Sequence, residues 1–450
     1  AAAACMTVLE PTSNGIGSDA FALVWTKNEL HGLNASGRAP MAISAEKVRE
    51  QGYSEMPKRG WIPVMVPGAP SAWAELSQKY GRLPLTQALE PAITYAEEGY
   101  AVSPVISRLW NKAYADFTKI FKDDHFKPWF ETFAPNGRAP QPGEIWKSCG
   151  HAETLRKIAE SNAKEFYQGE LADRIDEFSR KTGGYIRKED LENYWCEWVK
   201  PIHVNYRGYD VWEIPPNGNG IVALMALNIL KGFEFSCRDC VDTVHKQLEA
   251  MKLAFIDGKR YVADQKFMKV SVEELLSDEY AAKRRSLIGE KAIMPEAGDP
   301  RCGGTIYLCT ADGEGNMVSY IQSNYQGFGS GIVIPGTGIA LQNRGANFSL
   351  DEAMENCLAP GKKSFHTIIP GFLTKDGEAV GPFGVMGGFM QPQGHVQVVM
   401  NTVDFMMNPQ EALDAPRWQW TGEKNIQVER AFPYGITEEL VRRGHNISVL

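Results

Sequence analysis

Gly303-Gly304-Thr305-Ile306-Tyr307-Leu308 is the stretch of this chain whose residue types could act together chemically. A Thr hydroxyl is a weak nucleophile and needs a base. Inside a chain the neighbouring nitrogen is an amide, with its lone pair delocalised into the carbonyl. Scission between Gly304 and Thr305 would free an α-amine of ordinary pKa about 7.7–8.0, poised to take the hydroxyl proton near neutral pH. One cut would thus create both a nucleophile and its base. The glycine pair carries no side chains, so the backbone can bend until the hydroxyl reaches the preceding carbonyl. Residue types alone also fit a purely structural Thr at the mouth of a hairpin. Asp312-Gly313-Glu314-Gly315-Asn316 turns the strand from 305 back into the strand from 317. Gly387 and Gly388, after an apolar run, offer bare N–H groups that suit an oxyanion or an ordinary tight turn.

The elements that must position these residues follow from periodicity and punctuation. Residues 20–25 read as a buried strand, and Gly32-Leu33-Asn34-Ala35 as the start of the next. Ser71 is an apt N-cap for a helix from Ala72. Residues 84–98, 152–161 and 171–178 carry helical spacing. Gly183-Gly184-Tyr185-Ile186 reads as a turn and short strand, and Asp190 as the start of a further helical turn. Arg207-Gly208 joins two alternating runs into a hairpin. Residues 221–230 form a buried apolar helix and 243–258 a long amphipathic one. Residues 288–304 hold Gly289, Pro295, Gly298, Pro300, Gly303 and Gly304, an exposed linker suited to cleavage. Strands gather near both ends, with helices between.

With 450 residues, 43% hydrophobic and 23% charged, the chain can bury a large core. A net charge of −8 leaves no electrostatic footprint for nucleic acid or an anionic membrane. No apolar run approaches the roughly 18 residues of a spanning helix. The eight cysteines are scattered. Cys237 and Cys240, the one close pair, read as two incidental thiols, since a zinc site would need a second pair nearby.

Downstream of Thr305, Gly327-Phe328-Gly329-Ser330-Gly331, Gly336-Thr337-Gly338-Ile339, Asn347-Phe348-Ser349 and Pro360-Gly361-Lys362-Lys363 follow in order. Upstream stand Lys79-Tyr80-Gly81-Arg82-Leu83-Pro84, Phe166-Tyr167-Gln168-Gly169 and Pro215-Pro216 with Gly218 and Gly220. This series resembles the gamma-glutamyltranspeptidase-like family of N-terminal-nucleophile hydrolases, over nearly the whole chain. The resemblance implies an α+β fold, a four-layer αββα sandwich forming one composite domain. It implies self-cleavage into 1–304 and 305–450, with Gly304 and Thr305 flanking the cut. Thr305 would be the nucleophile, and Gly387 and Gly388 the oxyanion hole. Relative to the family, the chain is expected to lack a leading segment and the final strands.

The acyl pocket departs from the family's pattern. Arg38 occupies the place of the Arg that binds the α-carboxylate. Arg344 stands where Gln or Glu is common, and Asn347 where Asp is. His366 and Thr367 replace a serine pair, and Tyr325 an Asn, while Ser323 precedes it on the same strand. A cation facing an ammonium is repulsive, so the pocket is similar to the cephalosporin-acylase-like branch, whose acyl groups lack the amine. Met390-Gln391-Pro392-Gln393-Gly394-His395 also resembles that branch. His366 and His395 read as packing histidines.

The implied activity is a self-processing amidohydrolase or acyltransferase acting on gamma-glutamyl or glutaryl-type amides. A true gamma-glutamyltransferase using glutathione and an unprocessed, non-catalytic homologue are the alternatives. No metal or organic cofactor is called for. The expected partners are a small-molecule amide and the chain's own cleavage product, in a heterodimer open to further association. The sequence fixes no compartment and leans slightly to the cytoplasm.

Overall fold

The computed structural model describes residues 1–294 and 304–450. Nine strands build its two central sheets. They are β1 (Asp19–Thr26), β2 (Glu29–Ala35), β3 (Glu197–Val199), β4 (Ile202–Tyr206), β5 (Tyr209–Glu213), β6 (Gly304–Ala311), β7 (Met317–Tyr325), β8 (Gly371–Lys375) and β9 (Glu378–Phe383). One sheet runs β3-β2-β1-β7-β6 and the other β9-β8-β5-β4, with antiparallel pairing throughout.

Alternation along β1 decides the layering. Phe21, Leu23 and Trp25 point one way, packing with Ile321 against Ile214, Ile368 and Phe372 between the two sheets. Ala20, Ala22 and Val24 point the other way, into a helical layer that includes Ala69–Tyr80, Leu85–Glu98 and Cys149–Ser161. The second sheet sends Val204, Tyr206 and Val211 into helices Gly220–Leu230, Val241–Tyr261 and Met390–Val403. Every residue of Gly220–Leu230 is buried, as an all-round apolar helix must be. The result is the αββα sandwich. Phe21 is fully buried, its ring centroid 4.8 Å from that of His366. Phe21→Ala is expected to cost about 3–5 kcal/mol, read as a lower urea midpoint at unchanged slope.

Each sheet is a joint between sequence before residue 304 and sequence after it. β1 pairs with β7 from Asp19↔Ser323 to Trp25↔Met317, and β5 pairs with β8 from Tyr209↔Lys375 to Trp212↔Phe372.

Several local expectations are corrected. Gly32 to Ala35 close β2 rather than open it, because Lys27 and Asn28 turn the chain with φ of 51° and 61° and pairing starts at Glu29. Ser71 lies inside helix Ala69–Tyr80, whose N-cap is Gly68, and its hydroxyl donates to the Gly68 carbonyl at 2.7 Å. Gly183, at φ 81°, is the left-handed cap of helix Glu170–Thr182, and Tyr185 and Ile186 join no strand. The helical turn near Asp190 begins earlier, spanning Lys188–Glu192. Cys237 and Cys240 are joined as a disulfide rather than left as thiols, their Cα atoms 5.9 Å apart within bridging range. Apart from Gly304, the glycines and prolines of the expected linker beyond residue 294 lie outside the described residues.

Candidate active site

Thr305 sits on a β-bulge. Gly304 pairs with Tyr325 and Ile306 with Gln322, so Thr305 alone faces both Ser323 and Asn324. Such bulges bend a strand and re-aim a side chain. Thr305 is buried, and its Oγ1 donates to Ser323 Oγ at 3.3 Å. The same Oγ1 accepts from Gln391 Nε2 at 3.4 Å. Gln391 Oε1 accepts the Ile369 N–H at 2.9 Å, which fixes the amide with its NH₂ toward Thr305.

Gln391 is the second residue of helix Met390–Val403, so that helix's N-terminus meets the hydroxyl. Gly387 and Gly388 lead into the helix with φ of 127° and 62°. Their carbonyls accept from Met390 and Gln391, while neither of their own N–H groups has an acceptor among the described residues. Free N–H groups at a helix N-terminus favour negative charge. Sequence reading singled out the glycine pair but gave Gln391 no role. Its sequence signals were its place three residues after that pair and its membership of the Met390–His395 run. Gln391→Leu is expected to slow turnover about tenfold or more and to cost about 1–3 kcal/mol, because the buried Ile369 N–H loses its acceptor. Steady-state rates and denaturant midpoints check the two parts separately.

Behind Ser323 lies a buried polar group. Ser323 Oγ accepts the Tyr325 N–H at 2.8 Å, and its residue pairs across the sheet with Asp19. Asp19 accepts from His366 Nε2 at 2.9 Å and from the Gly37 N–H at 3.1 Å. His366 Nδ1 accepts the Ile368 N–H at 3.4 Å, which leaves the ring proton on Nε2. Burial, and then the nearby Arg344 and Lys363, hold the imidazole well below its ordinary range, so it is neutral. Burial pushes Asp19 up to about 7, with Arg344 pulling the other way. Asp19 was not anticipated, because its pairing with Ser323 joins residues from opposite ends of the chain.

Arg344 is 1% exposed. Its Nη1 donates to Thr367 Oγ1, and its guanidinium carbon lies 4.5 Å from the centroid of the Tyr325 ring. Asn347 donates to the Phe365 carbonyl at 3.0 Å. Tyr325, Asn347, Phe365 and Phe389 line a cavity of about 440 Å³. Thr305, Ser323, Tyr325, Arg344, His366 and Thr367 thus form one linked group with Gln391 and Asp19. Arg38 belongs to a different set of contacts. It donates to Glu197 at 2.7 Å, Asp264 at 3.3 Å and the Gly361 carbonyl at 3.2 Å, beside a separate hollow of about 380 Å³. Gly303 lies outside the described residues.

His245, Glu249 and His445 bring metal-type ligand atoms within 4.8 Å of one another. The Lys252 ammonium already lies 2.7 Å from Glu249. A cation is therefore built into that knot, which does not favour a second. His395 lies elsewhere, buried against Glu213 at 2.6 Å.

A buried Thr at the start of a sheet-edge strand of an αββα sandwich, its hydroxyl held between Ser323 and the Gln391 amide, defines a protein of the N-terminal-nucleophile hydrolase class. The gamma-glutamyltranspeptidase family model matches residues 1–449. A glutathione hydrolase-like YwrD proenzyme of Bacillus subtilis is 35% identical, over 100% of this chain and 86% of that protein. An oxamate amidohydrolase proenzyme of Klebsiella pneumoniae is 32% identical over the same shares. The crystal structure of a cephalosporin acylase from Bacillus halodurans is 65% identical, with a TM-score of 0.97 over 100% of this chain and 83% of that one. The chain belongs to the gamma-glutamyltranspeptidase family, and is an enzyme acting by acyl transfer or hydrolysis.

Proposed function

We propose that this chain cuts itself between Gly304 and Thr305 and then hydrolyses gamma-glutamyl or glutaryl-type amides through a Thr305 acyl-enzyme. The observation that carries this reading is the buried Thr305 hydroxyl, set on a bulge between Ser323 and Gln391. In self-cleavage, Oγ1 attacks the Gly304 carbonyl, the C–N bond breaks as the nitrogen takes the proton, and water hydrolyses the resulting ester. The freed α-amine then serves as base. Oγ1 attacks the substrate amide and the amine takes its proton. The oxyanion rests on the Gly387 and Gly388 N–H groups. The amine returns the proton to the leaving nitrogen as the C–N bond breaks, and water repeats the sequence to release the acid.

Segments 1–304 and 305–450 stay together in this reading, because each central sheet contains strands of both. The names of the relatives, an acylase, an amidohydrolase and a glutathione hydrolase-like protein, agree with amide cleavage. N-terminal sequencing of the smaller fragment, followed by a screen of gamma-glutamyl and glutaryl anilides, is the test. A new terminus at Thr305 together with anilide turnover supports it. A single uncut band without turnover supports a non-catalytic homologue instead. Glutathione turned over in preference to glutaryl amides supports a gamma-glutamyltransferase.

A further inference from the structure

The Cys237–Cys240 disulfide stands apart from the Thr305 site and has the make-up of a chemical centre. Its sulfurs are not sealed in the core, since Cys237 is exposed and Cys240 half-buried. The two are separated by three positions, and a cross-link stabilises a chain less the shorter the loop it closes. Stapling a 450-residue fold that already has a large core does not account for it. Cys240 is the N-cap of the 21-residue helix Val241–Tyr261. A thiolate there is favoured by the helix N-terminus, which makes Cys240 the better leaving group of the pair. The acidic residue in the same turn, Asp242, is paired with Lys246 at 2.6 Å and Arg443 at 3.4 Å.

The loop accommodates the pair both joined and parted. Thr243 Oγ1 donates to the Cys237 carbonyl at 2.7 Å and lies 3.1 Å from Cys240 Sγ. That bond holds the two ends of the loop together without the S–S link. A Cys240 thiol would have the Cys237 carbonyl as an acceptor 3.2 Å away. Arg238, between the two cysteines, reaches out of the loop with its side chain 16% exposed. Its Nε donates to Asn401 Oδ1 and its Nη2 to the Pro416 carbonyl, both at 3.1 Å. Asn401 lies on helix Met390–Val403, the helix whose N-terminus meets Thr305, and donates in turn to the Ala412 carbonyl at 3.2 Å. The loop thus ties sequence before residue 304 to sequence after it.

We infer that Cys237 and Cys240 form a reversible exchange site for small thiols and disulfides, and that its state sets the grip of Arg238 on the 305–450 segment. A thiolate attacks the exposed Cys237 sulfur. The Cys237–Cys240 bond breaks as the new S–S bond forms, and the electron pair leaves on Cys240 at the helix N-terminus. A second thiolate attacks the incoming group's sulfur in that mixed disulfide and releases Cys237. Two small thiols are oxidised to one disulfide, the protein pair is reduced to two thiols, and the two protons pass between them through solvent. None of these steps depends on the Thr305 reading.

The probe is β-mercaptoethanol with its own disulfide, because a gamma-glutamyl thiol would also report on the Thr305 site. Native wild-type protein is exposed briefly to the thiol, quenched with acid and mapped peptide by peptide, which separates this pair from the other cysteines. The mixed adduct should sit on Cys237 in about tenfold excess or more over Cys240, since the exposed sulfur is attacked and the helix-capping one leaves. Reduction should go to completion without denaturant, and the added disulfide should close the pair again. Cys240→Ser should accumulate the Cys237 adduct, because no neighbouring thiol displaces it. Amide hydrogen exchange over residues 398–403 should be about tenfold faster or more in the reduced protein, and Arg238→Gln should show the fast rate in both states. A pair that is reduced only after unfolding, that no disulfide reagent closes, or that carries its adduct mainly on Cys240 would overturn the exchange site. Equal hydrogen exchange over 398–403 in the two states would overturn the link through Arg238.

Discussion

Thr305→Ala is expected to leave one uncut polypeptide and to lower amide turnover by about 10⁴-fold or more, the scale seen when a nucleophile is removed from a unit that works together. The side chain is small and its two hydrogen bonds are long, at 3.3 and 3.4 Å. Stability should therefore change by no more than about 1 kcal/mol. A folded, uncut, inactive protein would place the loss in the chemistry and not in the fold. Thr305→Ser keeps a hydroxyl in the same place and should still process and turn over, more slowly. Mass spectrometry of the purified variants, with anilide kinetics on the same samples, gives both readouts. Normal cleavage in Thr305→Ala would remove the nucleophile from the mechanism.

Gly387→Ala should be the next most damaging change, with kcat reduced about 10²–10³-fold, the usual cost of losing an oxyanion donor. Two facts combine there. Gly387 has φ 127°, a conformation L-residues rarely adopt, and an added Cβ would lie 3.1 Å from Met390 Cβ. The backbone must rotate to relieve this, at a cost of about 1–3 kcal/mol, and rotation would swing the N–H groups away from the proposed oxyanion position. Self-cleavage passes through the same kind of tetrahedral centre, so processing should slow as well. KM should move little, because the interaction strengthens only in the transition state. A variant processed at the wild-type rate with unchanged kcat would show that the oxyanion lies elsewhere.

Sequence and structure contributed differently to this picture. β1 was legible as a short apolar run, and β4 and β5 as alternating runs of period two on either side of Arg207-Gly208. Gly220–Leu230 was legible because it is apolar all round. The hairpin of β6 and β7 was legible because Asp312 to Asn316 is a strong turn. Boundaries failed where one residue's backbone decided them. Asn28 accepted a positive φ and moved the start of β2, and Gly68 rather than Ser71 capped the helix that follows. The cysteine pair was misread because three residues of spacing do not say whether the sulfurs face each other.

The residue types around Thr305 were all present in the linear text: a hydroxyl after two glycines, a second glycine pair, and an Arg where a neutral or acidic side chain is usual. The glycines and the hydroxyl are named by local chemistry, and the Arg stands out only beside the family that the chain resembles. The tertiary structure alone decided which of them meet. Gln391 reaches Thr305 across 86 residues, Asp19 reaches His366 across 347, and Arg38 turns to Glu197 and Asp264 while Arg344 is buried against Thr367 and Tyr325. Such meetings depend on strand register and on how two sheets close over one core, and no stretch of sequence encodes either by itself.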